Sequence, residues 1–211
     1  MLRLPQDDVK EMLNHAAHSS MKQPAPSLSP PRSGLPPKHN LFGVNVSETS
    51  YNEATDLIMQ AARERRSMLV DHMPVHGLIE ASQDPSLNEK MNHFDIVAPD
   101  GHPVRWVLNR FYKTDLSDRV YGPELMLRLC RQAEREGVSI YLYGSQPGVL
   151  ESLQQNLIRK FPNLCIAGSE SPPFRPLTNR YSRLLVRPAD RAGASVLGRR
   201  RDLKDPSYRT D

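Results

Sequence analysis

No apolar run in this chain approaches the roughly 20 residues that a membrane-spanning helix requires. The first residues also lack the apolar core of a signal peptide, so the expectation is a soluble or peripheral protein. Cysteine is scarce. Cys130 and Cys165 lie far apart and form no CxxC, so neither zinc-ribbon spacing nor a dithiol redox motif is encoded. Cys130 keeps helical register with Met126, Leu129 and Ala133 and reads as a core thiol, with reducing cytoplasm as the natural compartment. There is no HExxH, no GxGxxG and no P-loop lysine, which argues against a zinc hydrolase, a dinucleotide-dependent oxidoreductase and a P-loop enzyme. His72 and His76 are four apart, but Pro74 lies between them and no carboxylate has ligand spacing, so a metal site is not expected.

Apolar residues make up only 38% of the 211, and the mean hydropathy of -0.57 is low for a compact globule of this length. The formal charge of +4 and isoelectric point near 9.2 suit contact with phosphates, nucleotides or an acidic surface without choosing among them. The 19 prolines are unevenly placed. Residues 1–38 hold a short helical stretch followed by "KQPAPSLSPPRSGLPPKH", which has no apolar period and reads as a disordered leader that a protease should trim. Residues 39–178 alternate apolar strands with amphipathic helices. "LFGVNV", "RRSMLVDHM", "NHFDIVAPDG", "VSIYLYGS" and "LCIAGSES" read as strands. Helices are expected after Ser47, Thr49 or Ser50, from Pro74, from Pro123 to Glu136, and over "GVLESLQQNLIRKF". Strand cores that are apolar on both faces indicate a Rossmann-like α/β fold with a mostly parallel sheet and flanking helices. Residues 179–211 are dense in arginine and lose the apolar period.

Ligands of parallel α/β sheets bind where strands pass into helices at their carboxyl ends. "APDG" is one such place: Asp100 could accept a proton or hold a sugar hydroxyl, and Gly101 would let a ligand approach the backbone. Pro-Asp-Gly is equally a favourable turn. "YLYGSQPGVLE" is a second, where Gly144 and Gly148 bracket a helix start able to seat a diphosphate, or else form a structural turn. "DRVYGPEL" places Arg119 before a glycine turn, where it could pair with phosphate or simply be solvated. Tyr121, Tyr141 and Tyr143 read as packing residues.

In order and spacing, "LFGVNVSETSYNEA", "FDIVAPDGHPVRW", "DRVYGPELMLRLC" and "IYLYGSQPGVLESLQQNLIRKFPNLCIAGSESPPF" resemble the bacterial WecB/TagA/CpsF glycosyltransferase family, from about Leu41 to Thr178. The resemblance implies inverting transfer of an N-acetylhexosamine-type, N-acetylmannosamine-like sugar from a UDP-sugar to a lipid-diphosphate-linked acceptor, in building cell-surface polysaccharide or teichoic-acid-type polymers. Asp100 then matches the carboxylate that serves as general base. Gly144, Ser145 and Gly148 would cradle the diphosphate, and Gly101, Arg119 and Gly122 would border the same site. The resemblance implies no cofactor, no metal and no nucleic acid. It also implies a homo-oligomer and peripheral contact at the inner face of the plasma membrane.

Two departures accompany it. The family commonly has Thr-x-Asn after its second strand, where this chain reads "VDHMPVHG". Past "SPPF" its Gly-Leu-Gly-x-Pro-Lys-Gln segment is not recognisable, although a frame starting at the third base of the Ser195 codon can read Gly-Leu-Gly-Thr-Pro-Lys. The sheet is therefore expected to be incomplete on its C-terminal side, with 179–211 a basic tail that is non-native or frameshifted. The alternative function is an inactive remnant that still binds nucleotide sugars.

Overall fold

The computed structural model describes residues 34–172 and the backbone of Ala194–Gly198. The leader up to residue 33 lies outside the described residues, as do 173–193 and 199–211 of the segment after "SPPF". In chain order the elements are β1 (Lys38–Leu41), β2 (Val44–Ser47), α1 (Tyr51–Arg63), β3 (Val70–Met73), α2 (Val75–Gln83), α3 (Pro85–Asn92) and β4 (Ile96–Pro99). They continue with α4 (His102–Val107), a π turn (Leu108–Tyr112), α5 (Gly122–Glu136), β5 (Ile140–Gly144), α6 (Pro147–Lys160), β6 (Ile166–Glu170) and β7 (Ala194–Gly198). β3 and β4 pair in parallel, β5 pairs in parallel with both β6 and β7, and β1 and β2 form an antiparallel hairpin. This is a mixed α/β, Rossmann-like arrangement of parallel strands and covering helices, and no helix of the described residues is long and apolar enough to cross a membrane.

Three features differ from the sequence reading. "LFGVNV" is not one strand. Phe42 (φ 53°) and Gly43 (φ 90°) form a two-residue turn that pairs Leu41 with Val44. Two successive positive φ angles match the right-handed twist of a hairpin. Asn40 Oδ1 helps by accepting from Gly43 N at 3.0 Å. The apolar run hid the turn because its first corner is a phenylalanine.

The helix expected from Pro74 runs over Val75–Gln83, and a further helix that the sequence reading does not name follows it at once. Asp84 accepts from Ser86 N at 2.9 Å and Leu87 N at 3.2 Å, capping a new helix with Pro85 in its first turn. Finally, the sheet does not stop at "LCIAGSES". Ala194–Gly198, within the arginine-rich segment, pairs with the β5 edge opposite β6, from Ile140↔Ala194 to Gly144↔Gly198. Five residues with Val-Leu at their centre are enough for a parallel strand, and flanking arginines mask them in any wider window.

Other boundaries follow local chemistry as read. Ser50 caps α1, its Oγ accepting from Glu53 N at 3.2 Å. Gly137 ends α5 in the left-handed region at φ 66°. β4 is buried along its whole length. Ile96 and Ala98 pack with Ala54 of α1 and Leu125 of α5, while Val97 packs on the opposite face with Val104 and Leu108. That alternation is what a strand covered on both faces requires, and it fixes β4 as the spine from which the Asp100 loop emerges.

Cys130 is fully buried in the cluster around Ile140 and Leu142, and burial pushes its thiol up to about 11, whereas Cys165 is exposed. Because the thiolate is the reactive form, thiol titration at about pH 8 should modify Cys165 rapidly and Cys130 only after denaturation. Two thiols of equal rate in the folded protein would contradict this packing.

Candidate functional site

Asp100 follows the last residue of β4, and its N–H donates to Met73 O at 3.2 Å, so the loop begins where β3 and β4 end together. Gly101 has φ 106° and ψ 145°, a region that side chains make costly, and Arg105 N closes the first turn of α4 on Gly101 O at 3.3 Å. The chain thus turns sharply while leaving the Asp100 carboxylate half-buried. It has no hydrogen-bond or ion-pair partner among the described residues. A base needs that freedom, since a carboxylate already committed to an arginine is a poor proton acceptor.

The Arg119–Gly122 segment is held to the same edge from two sides. Val120 N donates to Pro99 O at 2.8 Å, extending the last carbonyl of β4. Val120 O accepts from His72 Nδ1 at 3.0 Å, and because a carbonyl only accepts, Nδ1 carries the proton. A side chain on Gly122 would place its Cβ 3.2 Å from His72 Cδ2, so the imidazole lies flush on that glycine. Tyr51 completes the attachment, its hydroxyl accepting from Tyr121 N at 3.0 Å. Arg119 rests its guanidinium over the Tyr121 ring at 4.9 Å and forms no ion pair among the described residues, leaving its fork of donors available to an anion.

The Asp100–Gly101 turn and the Arg119–Gly122 segment are therefore attached to one carboxyl edge. The roles of His72 and Tyr51 were not legible. His72 was expected only as an occupant of the region after the second strand, and its one signal is its place one residue before that strand's end. His76 is exposed on α2, and no group of three or more His, Cys, Asp or Glu among the described residues could hold a metal ion. Tyr121, read as a packing residue, is instead 41% exposed, because its ring serves Arg119 rather than the core.

His72→Ala should lower the thermal midpoint, since a hydrogen bond of this kind contributes about 1 kcal/mol and its loss orphans Val120 O. His72→Asn, which keeps a donor near the Nδ1 position, should recover part of the loss. Equal midpoints for alanine and asparagine variants would show that the bond does not hold the segment.

The second loop lies at the carboxyl end of β5. Gly144 (φ 113°) and Ser145 (φ 61°) both occupy the left-handed half of conformational space, which is uncommon for serine and concentrates at functional turns. Ser171 Oγ donates to Ser145 O at 2.7 Å and holds the turn. Gln146 caps α6 without a side-chain bond and Pro147 is in the first turn, so the amides of Gly148 and Val149 have no acceptor within the helix. A Cβ on Gly148 would meet nothing within 4 Å, so this glycine borders open space rather than packed protein. Gly144, Ser145 and Gly148 are thus together, on a different group of strands from the Asp100 edge, and none of the hydrogen bonds described above joins the two loops.

Strand carboxyl ends that pass into helices, and helix starts whose amides lack acceptors, are where α/β proteins of this kind bind ligands. The chain belongs to the WecG/TagA/CpsF family of glycosyl transferases, whose family model matches residues 39–197. The match takes in both loops and extends to β7.

Proposed function

We propose that this glycosyl transferase moves an N-acetylhexosamine-type, N-acetylmannosamine-like sugar from a UDP-sugar to a lipid-diphosphate-linked acceptor, with inversion, in the synthesis of a cell-surface polymer. The observation that carries the reading is the uncommitted Asp100 carboxylate at the β3–β4 edge, beside the stapled Arg119–Gly122 segment. Asp100 takes the proton of the acceptor hydroxyl as that oxygen attacks the anomeric carbon. The bond from that carbon to the diphosphate breaks on the opposite face, and UDP departs with its electron pair. A single displacement needs one base and no covalent nucleophile, which suits one free carboxylate. Arg119 offers paired donors to the charge that grows on the leaving diphosphate. Gly144, Ser145 and Gly148, with the free amides of α6, hold the nucleotide diphosphate.

The test incubates purified full-length chain with a UDP-N-acetylhexosamine and a short-chain lipid-diphosphate sugar, and follows both UDP release and the extended lipid. Acceptor-dependent release of UDP with matching product supports the proposal. Nucleotide-sugar binding by calorimetry without acceptor-dependent product would support the inactive binding remnant instead.

A further inference from the structure

Only one nitrogen of His72 is occupied by the fold. Nδ1 donates to Val120 O at 3.0 Å, and in a neutral imidazole the second nitrogen is then an acceptor. That nitrogen, Nε2, has no hydrogen-bond or ion-pair partner among the described residues. A Cβ on Gly122 would lie 3.2 Å from Cδ2, 3.4 Å from Cγ and 3.5 Å from Nε2 of the ring. Three ring atoms at nearly one distance mean that the glycine rests on the face of the imidazole. The lone pair of Nε2 lies in the ring plane and runs past it, whereas any side chain at 122 would crowd that nitrogen.

The sheet register brings this acceptor to the same side as the Asp100 carboxylate. His72 is paired with Ala98, and paired residues of neighbouring strands project to one face. Ala98 packs with Val120 and Leu125, the side on which His72 meets Val120. Asp100 is two residues past Ala98, and its N–H continues the ladder on Met73 O at 3.2 Å. The strand period of two therefore returns Asp100 to that side. A strand spacing of about 4.8 Å and two rises of about 3.3 Å set the two Cα atoms about 8 Å apart. A single hexose spans such a gap, with one hydroxyl toward each side chain.

We infer that His72 Nε2 is a second contact on the acceptor sugar, accepting a hydrogen bond from one of its hydroxyls while another lies against Asp100. The inference rests on the proposed reaction for the identity of that sugar. One carboxylate accepts from any hydroxyl presented to it, so by itself it does not orient a ring that carries several. Two fixed acceptors on one face do, and orientation is what a displacement at a single oxygen requires. A sugar turned to present the wrong hydroxyl would leave Nε2 unpaired, and sites built to hydrogen-bond a hydroxyl discriminate strongly against ligands that cannot supply it. No proton passes through His72, because the proton of the attacking hydroxyl goes to Asp100.

The two ends of the ring can be separated, because asparagine and glutamine each copy one of them. His72→Asn keeps a donor near Nδ1 and has nothing at the position of Nε2. His72→Gln reaches that position with its amide oxygen and gives up the bond to Val120 O. A short-chain lipid-diphosphate sugar is titrated into each full-length chain with UDP present, reading affinity by calorimetry beside the thermal midpoint. His72→Asn should bind the acceptor about tenfold more weakly, equivalent to ~1.4 kcal/mol, with a midpoint above that of His72→Ala. His72→Gln should show the reverse, with affinity close to the parent's and a lowered midpoint. Affinity that simply follows the midpoint across the three variants would make His72 structural only and overturn the inference. Parent affinity in His72→Asn, or a parent chain that does not bind the acceptor, would have the same consequence. Binding needs no turnover, so the crossed pattern in a chain that forms no product would sustain this contact while the proposed reaction fails.

Discussion

Asp100→Asn is expected to lower transferase turnover about 100-fold or more, because it keeps the shape of the side chain and removes its ability to take a proton. The Asp100 carboxylate makes no ion pair or hydrogen bond among the described residues, so the substitution breaks nothing structural. The expected signature is a fall in kcat with UDP-sugar affinity and thermal midpoint close to those of the parent. A serine in its place should be as slow. Turnover unchanged in Asp100→Asn would remove the carboxylate from the reaction.

Gly148→Val is expected to weaken UDP binding about tenfold or more, equivalent to ~1.4 kcal/mol. Its Cβ would project into open space at the start of α6, beside the two amides with no acceptor within the helix. A ligand phosphate drawn to those amides would meet the branched side chain. Open space also makes the experiment cleaner, since the added Cβ meets nothing within 4 Å. Gly148→Ala should be milder. If calorimetry gives the parent affinity for both variants, the loop is only a turn. Gly122→Val would be a poorer probe, because its Cβ would press on His72 at 3.2 Å and mix folding with binding.

The sequence made most of the scaffold readable because period and punctuation agreed. "VSIYLYGS" is apolar enough to be buried on both faces, and Gly137 marks the end of α5 by a conformation that favours glycine. The α/β class and the position of Asp100 followed from those signals. The hairpin turn escaped because Phe42 adopts a positive φ that its residue type disfavours. The helix at Pro85–Asn92 escaped because its eight residues are short and largely polar, and its start rests on a single capping carboxylate at Asp84. The partnership of His72 with Val120 joins residues 48 positions apart, and no local pattern encodes such a bond. The loops at the strand ends were therefore legible, and the bonds that hold them in place were not.

The double attachment of Val120 also bears on the order in which the molecule assembles. One of its bonds requires the carbonyl that ends β4 and the other requires the imidazole near the end of β3. Neither partner is in place until the two strands have paired. The Arg119–Gly122 segment should therefore gain amide protection from deuterium exchange in the same cooperative step as β3 and β4, and lose it with them, unlike an ordinary surface loop that opens alone.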